Sequence, residues 1–186
     1  MLIVRMLVAV IIRIVWLVLE LPHLRRSRRQ SDENCDQNSG RVWDAANLVE
    51  TLGLVLAFWN VGHFELHYAS IIGVCALITG IIIRFAAIHT LGRFFNSVVT
   101  IRVDHEIIRT GLYGYVRHPA YTGALLAHAG LGLAFESWFS VLATTIPFWI
   151  AVAYRMYVEE LALSEKFGVD YANYVSETNR LIPGVF

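Results

Sequence analysis

Residues 69–88 read Ala-Ser-Ile-Ile-Gly-Val-Cys-Ala-Leu-Ile-Thr-Gly-Ile-Ile-Ile-Arg-Phe-Ala-Ala-Ile. A bilayer-spanning helix needs about 20 predominantly apolar residues, so this run predicts one. Upstream, Ala45–Gly62 and Leu2–Leu21 have the same character. Downstream, Tyr121–Phe135 is shorter, and two positions separate it from Trp138–Tyr154. The expected fold is all-α, a multi-pass membrane protein of five transmembrane helices whose last two form a tight hairpin. Gly123, Ala127 and Gly130 share one helix face, which lets helix backbones approach closely, and the hairpin arms are the expected pair. Pro147 is expected to kink the second arm.

Composition agrees. The chain has 186 residues, 56% hydrophobic and 16% charged, with mean hydropathy +0.55. Soluble domains carry about 25% charged residues. Fifteen basic and fifteen acidic side chains give no basic tract for nucleic acid, so no such partner is expected. Cys35 and Cys75 have neither metal-ligand nor redox-pair spacing. The first twenty residues hold Arg5 and Arg13 within the apolar stretch and no small-residue cleavage site, so they read as a retained helix.

Basic residues set the expected orientation. Twelve of the fifteen lie in three segments: the linker 22–42, the stretch 89–120 and the tail from 155. The turns near Phe64–Tyr68 and Glu136–Ser137 have none. By the positive-inside rule the N-terminus lies outside and those three segments are cytoplasmic. The linker is expected to be solvated or to touch headgroups, and Trp43, Tyr68 and Trp138 to act as interfacial anchors. Residues 1–186 read as one integral membrane unit. Its first part, 1–88, holds three helices and the linker; its second, 89–186, holds a re-entry segment, the hairpin and a C-terminal cytoplasmic helix. Arg13 and Glu50, at similar depth in neighbouring spans, are expected to pair; an intramembrane charge is a functional candidate until a partner is found.

Chemistry is written in residues 105–123: His-Glu-Ile-Ile-Arg-Thr-Gly-Leu-Tyr-Gly-Tyr-Val-Arg-His-Pro-Ala-Tyr-Thr-Gly. Pro119 suits the first turn of a helix, which clusters Arg117, His118 and Tyr121 where the chain re-enters the membrane. Open N–H groups at such a terminus attract anionic groups. At the end of the fifth span, Arg155 and Glu159 stand four apart on one face. Spacing alone leaves them an ordinary ion pair or a functional one. Glu160 is equally a ligand or a solvent-facing residue, and His128 either a buried structural residue or a pocket wall. His63 and His67 have a spacing that metal sites use but lack the His-Glu-x-x-His pattern; interfacial polar residues on a short turn are expected, with no metal.

The order Gly111-x-Tyr113-x-x-x-Arg117-His118-Pro119-x-Tyr121-x-Gly123, Glu159-Glu160, Phe167-Gly168-x-x-Tyr171-x-x-Tyr174 and Arg180-x-x-Pro183 resembles the isoprenylcysteine carboxyl methyltransferase family over residues 84–186. The resemblance implies a cytoplasm-facing pocket for S-adenosylmethionine, which leaves as S-adenosylhomocysteine. By the same resemblance Thr100, His105, Glu106, Ile107, Ile108, Tyr113, His118, Pro119, Ala120, Tyr121 and Glu159 line the cofactor pocket. Arg155 faces the substrate, and Arg155 and Glu159 form the catalytic pair. A prenylated cysteine is the implied acceptor and membrane lipids the surroundings; a monomer is favoured. The host membrane is the cell membrane in a prokaryote and the endoplasmic reticulum in a eukaryote. A carboxylate acceptor with a pKa near 3.5 is already ionised at pH 7 and needs no general base. A phospholipid amine N-methyltransferase is the enzymatic alternative and would need one. A five-helix scaffold without enzymatic activity is the other alternative.

Overall fold

The computed structural model describes residues 2–27, 33–34, 36–66, 68–101 and 104–184. Six α-helices dominate: α1 (Leu2–Ser27), α2 (Ser39–Phe58), α3 (Ala69–Leu91), α4 (Pro119–Ala134), α5 (Trp138–Phe167) and α6 (Val169–Glu177). Among the described residues the sheet content is one two-residue antiparallel pair, β1 (Glu33–Asn34) with β2 (Thr100–Ile101). Among the described residues, two helical stretches are long and apolar enough to cross a membrane, Ala69–Phe94 and Trp138–Phe167. At 1.5 Å per residue, the 16 residues of α4 reach about 24 Å, short of a bilayer's hydrocarbon thickness of about 30 Å.

Two elements differ in extent from the apolar runs. Helix α5 does not stop at Tyr154 but continues to Phe167, with Pro147 inside one continuous helix. Its extension beyond Tyr154 carries Glu159 and Glu160. It ends at Gly168, whose φ of +51° is one that residues with a Cβ rarely adopt; the turn launches α6 directly. Helix α2 begins at Ser39, six residues before the apolar run, so part of the expected linker is helix.

The small-residue face of α4 does not join the hairpin arms. It packs antiparallel on α3, the most extensive pairing among the described helices. Gly73 and Gly80 of α3 face Gly130 and Gly123 of α4, each pair two helical turns apart. A Cβ at Gly80 would collide with the backbone of Ala127, and one at Gly130 with the backbone of Leu77. Such contact replaces side-chain packing with backbone dispersion, the attraction available when lipid is as apolar as leucine. Helix α5 instead packs along α2, where Gly53 meets Ala143, and Gly132 lets α4 approach Ser140 and Thr144. The loop before α3 is tied to the α4–α5 turn through Phe64 N–H to the Glu136 carbonyl (2.9 Å) and Trp138 N–H to the Gly62 carbonyl (3.0 Å).

Outward faces of the long helices are apolar: Ile11, Ile14 and Val18 on α1, Leu48 and Leu52 on α2, Ile72 and Ile82 on α3, Leu142 and Ile150 on α5. Exposed apolar surface of this extent suits lipid rather than water. Inside, Arg13 does pair with Glu50, Nε to Oε1 at 3.2 Å. The pair is not alone. Asn47 accepts from Arg13 at 3.3 Å, and His128 Nδ1 lies 2.5 Å from the other Glu50 oxygen. The His128 ring stacks on Phe148 with centroids 3.5 Å apart. His128 is therefore a buried structural residue joining α4 to α2. A second pair, Glu20 with Arg84, joins α1 to α3; Trp16 Nε1 donates to the same Glu20 oxygen (2.7 Å) and Arg84 donates to the Ala120 carbonyl (3.3 Å).

Candidate active site

Re-entry begins with a 3-10 turn, Gly111–Gly114, and reaches α4 through Pro119 at its first position. The C-terminal tail runs alongside. Arg117 N–H donates to the Asn179 carbonyl (2.8 Å), His118 N–H to the Arg180 carbonyl (3.0 Å), and Asn179 N–H to the Tyr115 carbonyl (3.2 Å). The tail thus takes the N–H groups of Arg117 and His118 just before the helix, and the N–H groups of Tyr121 and Thr122 turn back to the His118 carbonyl. Tyr174 of α6 donates to the Tyr113 carbonyl (2.8 Å), and Arg109 donates to the Asp170 carbonyl (2.9 Å). Helix α6 and the tail thus hold the re-entry segment on the side away from the body of α4.

Glu160 is the centre of that clamp. It takes hydrogen bonds from Arg180 (Nη2, 2.5 Å; Nε, 3.0 Å), shares one with His118 Nε2 (3.0 Å) and pairs with Arg117 (3.4 Å). It is thus neither solvent-facing nor in the wall of the cavity. Its neighbour Glu159 points the other way: the Tyr121 hydroxyl donates to Glu159 Oε2 at 2.9 Å. Arg155 Nε donates to that same hydroxyl at 3.2 Å. The spacing of Arg155 and Glu159 therefore does not yield a direct ion pair; a phenol from the re-entry segment lies between them.

These side chains open on a cavity of about 270 Å³, near the lower end of the roughly 300–1,000 Å³ of small-molecule pockets. Of the sequence-derived residues, Thr100, His105, Tyr113, His118, Ala120, Tyr121, Arg155 and Glu159 line it. Glu106, Ile107, Ile108 and Pro119 are not in its wall. Glu106 is exposed, Ile108 packs behind Tyr113 and Ala120, and Pro119 is fully buried at the start of α4. Burial pushes the Tyr113 hydroxyl well above its ordinary pKa, with the Glu159 charge adding to the effect, so it stays a neutral donor.

More than half of the wall was not foreseen. Gly40, Trp43 and Asp44 of α2, the Glu20–Arg84 pair and the stretch Phe94–Val99 all face the cavity. Trp43 turns its ring inward: it meets Phe148 edge-on at 5.2 Å and lies 5.9 Å from the Arg155 guanidinium. The linker is not simply solvated either. Asp36 accepts from Ser39 Oγ (2.7 Å), Gly40 N–H (3.0 Å) and Val99 N–H (3.3 Å). Burial raises the Asp36 carboxyl, but those donors and the Arg155 charge hold it below its ordinary pKa. The linker's polarity and arginines concealed this; an Asp-x-x-Ser step before an apolar run, the signature of a helix start, is the signal that could have marked it. His63 makes an isolated strand-like bridge with Ser137, whereas His67 and Cys35 lie outside the described residues.

Comparison with known proteins gives a concordant picture. The sequence model of the isoprenylcysteine carboxyl methyltransferase (ICMT) family matches residues 71–165. Protein-S-isoprenylcysteine O-methyltransferase of Tribolium castaneum is 33% identical over 121 residues, 64% of this chain and 43% of that protein. Protein-S-isoprenylcysteine O-methyltransferase A of Arabidopsis thaliana is 33% identical over 147 residues, 75% of this chain and 71% of the relative. Among solved structures, the eukaryotic intramembrane Ras methyltransferase ICMT superimposes with a TM-score of 0.64 at 27% identity, covering 77% of this chain and 52% of that one. The chain therefore spans about half the length of some relatives it matches.

Proposed function

Because the chain belongs to the isoprenylcysteine carboxyl methyltransferase family, we propose that it methylates the carboxylate of a prenylated cysteine, or of a similar lipid-linked acid, with S-adenosylmethionine as donor. The observation that carries this reading is the meeting of the re-entry segment and α5 across one cavity, Tyr121 to Glu159 at 2.9 Å. The names of the relatives favour ester formation over amine methylation or a scaffold.

The donor set fits the cofactor. Its sulfonium is cationic, and its ribose hydroxyls and adenine need acceptors and flat surfaces. Glu159 gives an acceptor, Thr100 a hydroxyl, and His105, Phe94 and Tyr113 aromatic faces around one hollow. His118, Ala120 and Tyr121 add to the wall, and Ile108 packs behind it against Tyr113 and Ala120. When bound, S-adenosylmethionine supplies an electrophilic methyl group on positively charged sulfur.

The chain's own residues supply position and exclusion of water. Tyr121 accepts from Arg155 and donates to Glu159, so one hydroxyl fixes the cation that faces the acceptor and the anion that faces the donor. Arg155 is also held by the Ser97 carbonyl, leaving Nη1 without a protein partner among the described residues to meet the acceptor carboxylate. No base is recruited, because that carboxylate is ionised at neutral pH. Leu91, Phe94, Val98 and Leu163 form apolar wall. Methyl transfer merges a cation and an anion into neutral products, so a dry boundary site favours it, and alignment supplies the larger share of the rate.

On this reading the chain has five membrane helices, the fourth shorter than the hydrocarbon thickness, with the N-terminus outside and the cavity at the cytoplasmic face. Residues 1–88 and 89–186 form one unit, and the charge distribution along the sequence supports that orientation. The test is label transfer from methyl-labelled S-adenosylmethionine to short prenylated cysteines, using purified chain in lipid. Label released by mild base as methanol supports the ester; base-stable label in phospholipid would overturn it.

A further inference from the structure

We propose that Asp36, in the connection between α1 and α2, is a positioning residue that latches the cytoplasmic wall of the cavity and holds Arg155 in place. This inference rests on the proposed role of Arg155 and adds to the site a segment outside residues 71–165, which the family model matches.

The geometry is a three-way tie. Asp36 Oδ1 accepts from Val99 N–H at 3.3 Å and Ser39 Oγ at 2.7 Å, and Oδ2 accepts from Gly40 N–H at 3.0 Å. Arg155 Nη2 lies 4.0 Å from Oδ1 and donates to the Ser97 carbonyl. Carboxylate and guanidinium thus grip the same loop two residues apart, from opposite elements. Beside them, β1 pairs with β2 (Asn34 with Thr100), and the Tyr154 hydroxyl donates to the Gln37 carbonyl at 2.9 Å. Gly40, Ser97, Val99 and Thr100 all line the cavity, so releasing Asp36 loosens its wall on two sides.

Charge gives the latch its direction. The side chain of Asp36 is 14% exposed and that of Arg155 8%, and a partly buried pair is screened less than a surface one. The anion compensates Arg155 without forming a close fork with it. The cation stays available to a carboxylate yet keeps one orientation. A neutral amide cannot accept three donors and oppose a positive charge together.

The experiment compares full-length Asp36→Asn, Asp36→Glu and Ser39→Ala in lipid nanodiscs with the unaltered chain. Ser39→Ala removes one of the three donors to Asp36 and leaves the carboxylate, its charge toward Arg155 and its Val99 and Gly40 contacts in place. The expected result for Asp36→Asn is a fall of about tenfold in kcat/KM for the acceptor, with S-adenosylhomocysteine affinity within about twofold and faster amide exchange across residues 95–101. Asp36→Glu recovers part of the loss, and Ser39→Ala loses no more than about twofold. Equal losses in Asp36→Asn and Ser39→Ala, or unchanged exchange across 95–101, would overturn the latch. Absence of S-adenosylhomocysteine binding and methyl transfer in the unaltered chain would contradict the functional reading instead, and the exchange data would still decide the latch.

Discussion

The Tyr121 hydroxyl donates to Glu159 at 2.9 Å across a sequence separation of 38 residues, and it does so while accepting from Arg155. One phenol thereby fixes both charged members of the proposed pair. Tyr121→Phe keeps the ring and removes the link. Leaving partly buried polar groups unsatisfied costs about 1–3 kcal/mol, so kcat/KM should fall roughly ten- to hundredfold. A thermal midpoint close to that of the unaltered chain would show that the loss is in the site rather than the fold.

Glu159 and Arg155 should separate by substrate. Glu159→Gln is expected to weaken S-adenosylhomocysteine binding by about tenfold and to leave acceptor KM largely unchanged. Arg155→Ala should do the reverse, raising acceptor KM while the cofactor product binds as before. Titration calorimetry and initial rates on the same preparations decide it, and unchanged cofactor affinity in Glu159→Gln would remove that assignment.

The cluster of Arg13, Asn47, Glu50 and His128 lies away from the cavity, so its damage should appear in stability. Removing one partner of a buried ion pair costs about 3–5 kcal/mol, because the cation that remains is left uncompensated in an apolar setting. Glu50→Gln is therefore expected to lower the thermal midpoint clearly. Below that midpoint, S-adenosylhomocysteine affinity should remain within about twofold. An unshifted midpoint would contradict the structural role.

Backbone contact between α3 and α4 leaves no room for a methyl group at Gly80 or Gly130. Overpacking costs about 1–3 kcal/mol per site in well-packed interiors. Gly80→Ala should reduce the thermal midpoint, whereas alanine at Gly92, where no atom lies within 4 Å of an added Cβ, should show only the penalty of its positive φ. A Gly80→Ala chain as stable as the original would mean that these helices do not meet as described.

Length and hydropathy made α3 legible, since a 20-residue apolar run allows little else, and they located α1, α2 and α5 approximately. They did not reveal partners. A face of small residues such as Gly123, Ala127 and Gly130 announces close approach without saying to which helix, and α3 rather than α5 fits it. Glu50 and His128 are 78 residues apart, a separation at which local pattern carries no pairing signal. Within the site, His118, Tyr121 and Glu159 were legible through a motif order that resembles a family. Asp36 and Trp43 were concealed because a polar, arginine-rich stretch looks solvated, and only the folded chain shows its cap turned inward. Glu160 illustrates the same limit: a Glu-Glu doublet on a helix places its two side chains about 100° apart, and sequence does not say which one faces the hollow.

Titrating S-adenosylhomocysteine into the full chain in lipid, beside Tyr121→Phe and Glu159→Gln, tests most directly whether the re-entry segment and α5 build one donor pocket. The account predicts one site per chain, with weaker binding in both variants. No binding by the unaltered, well-folded chain, or binding that neither variant disturbs, would contradict it.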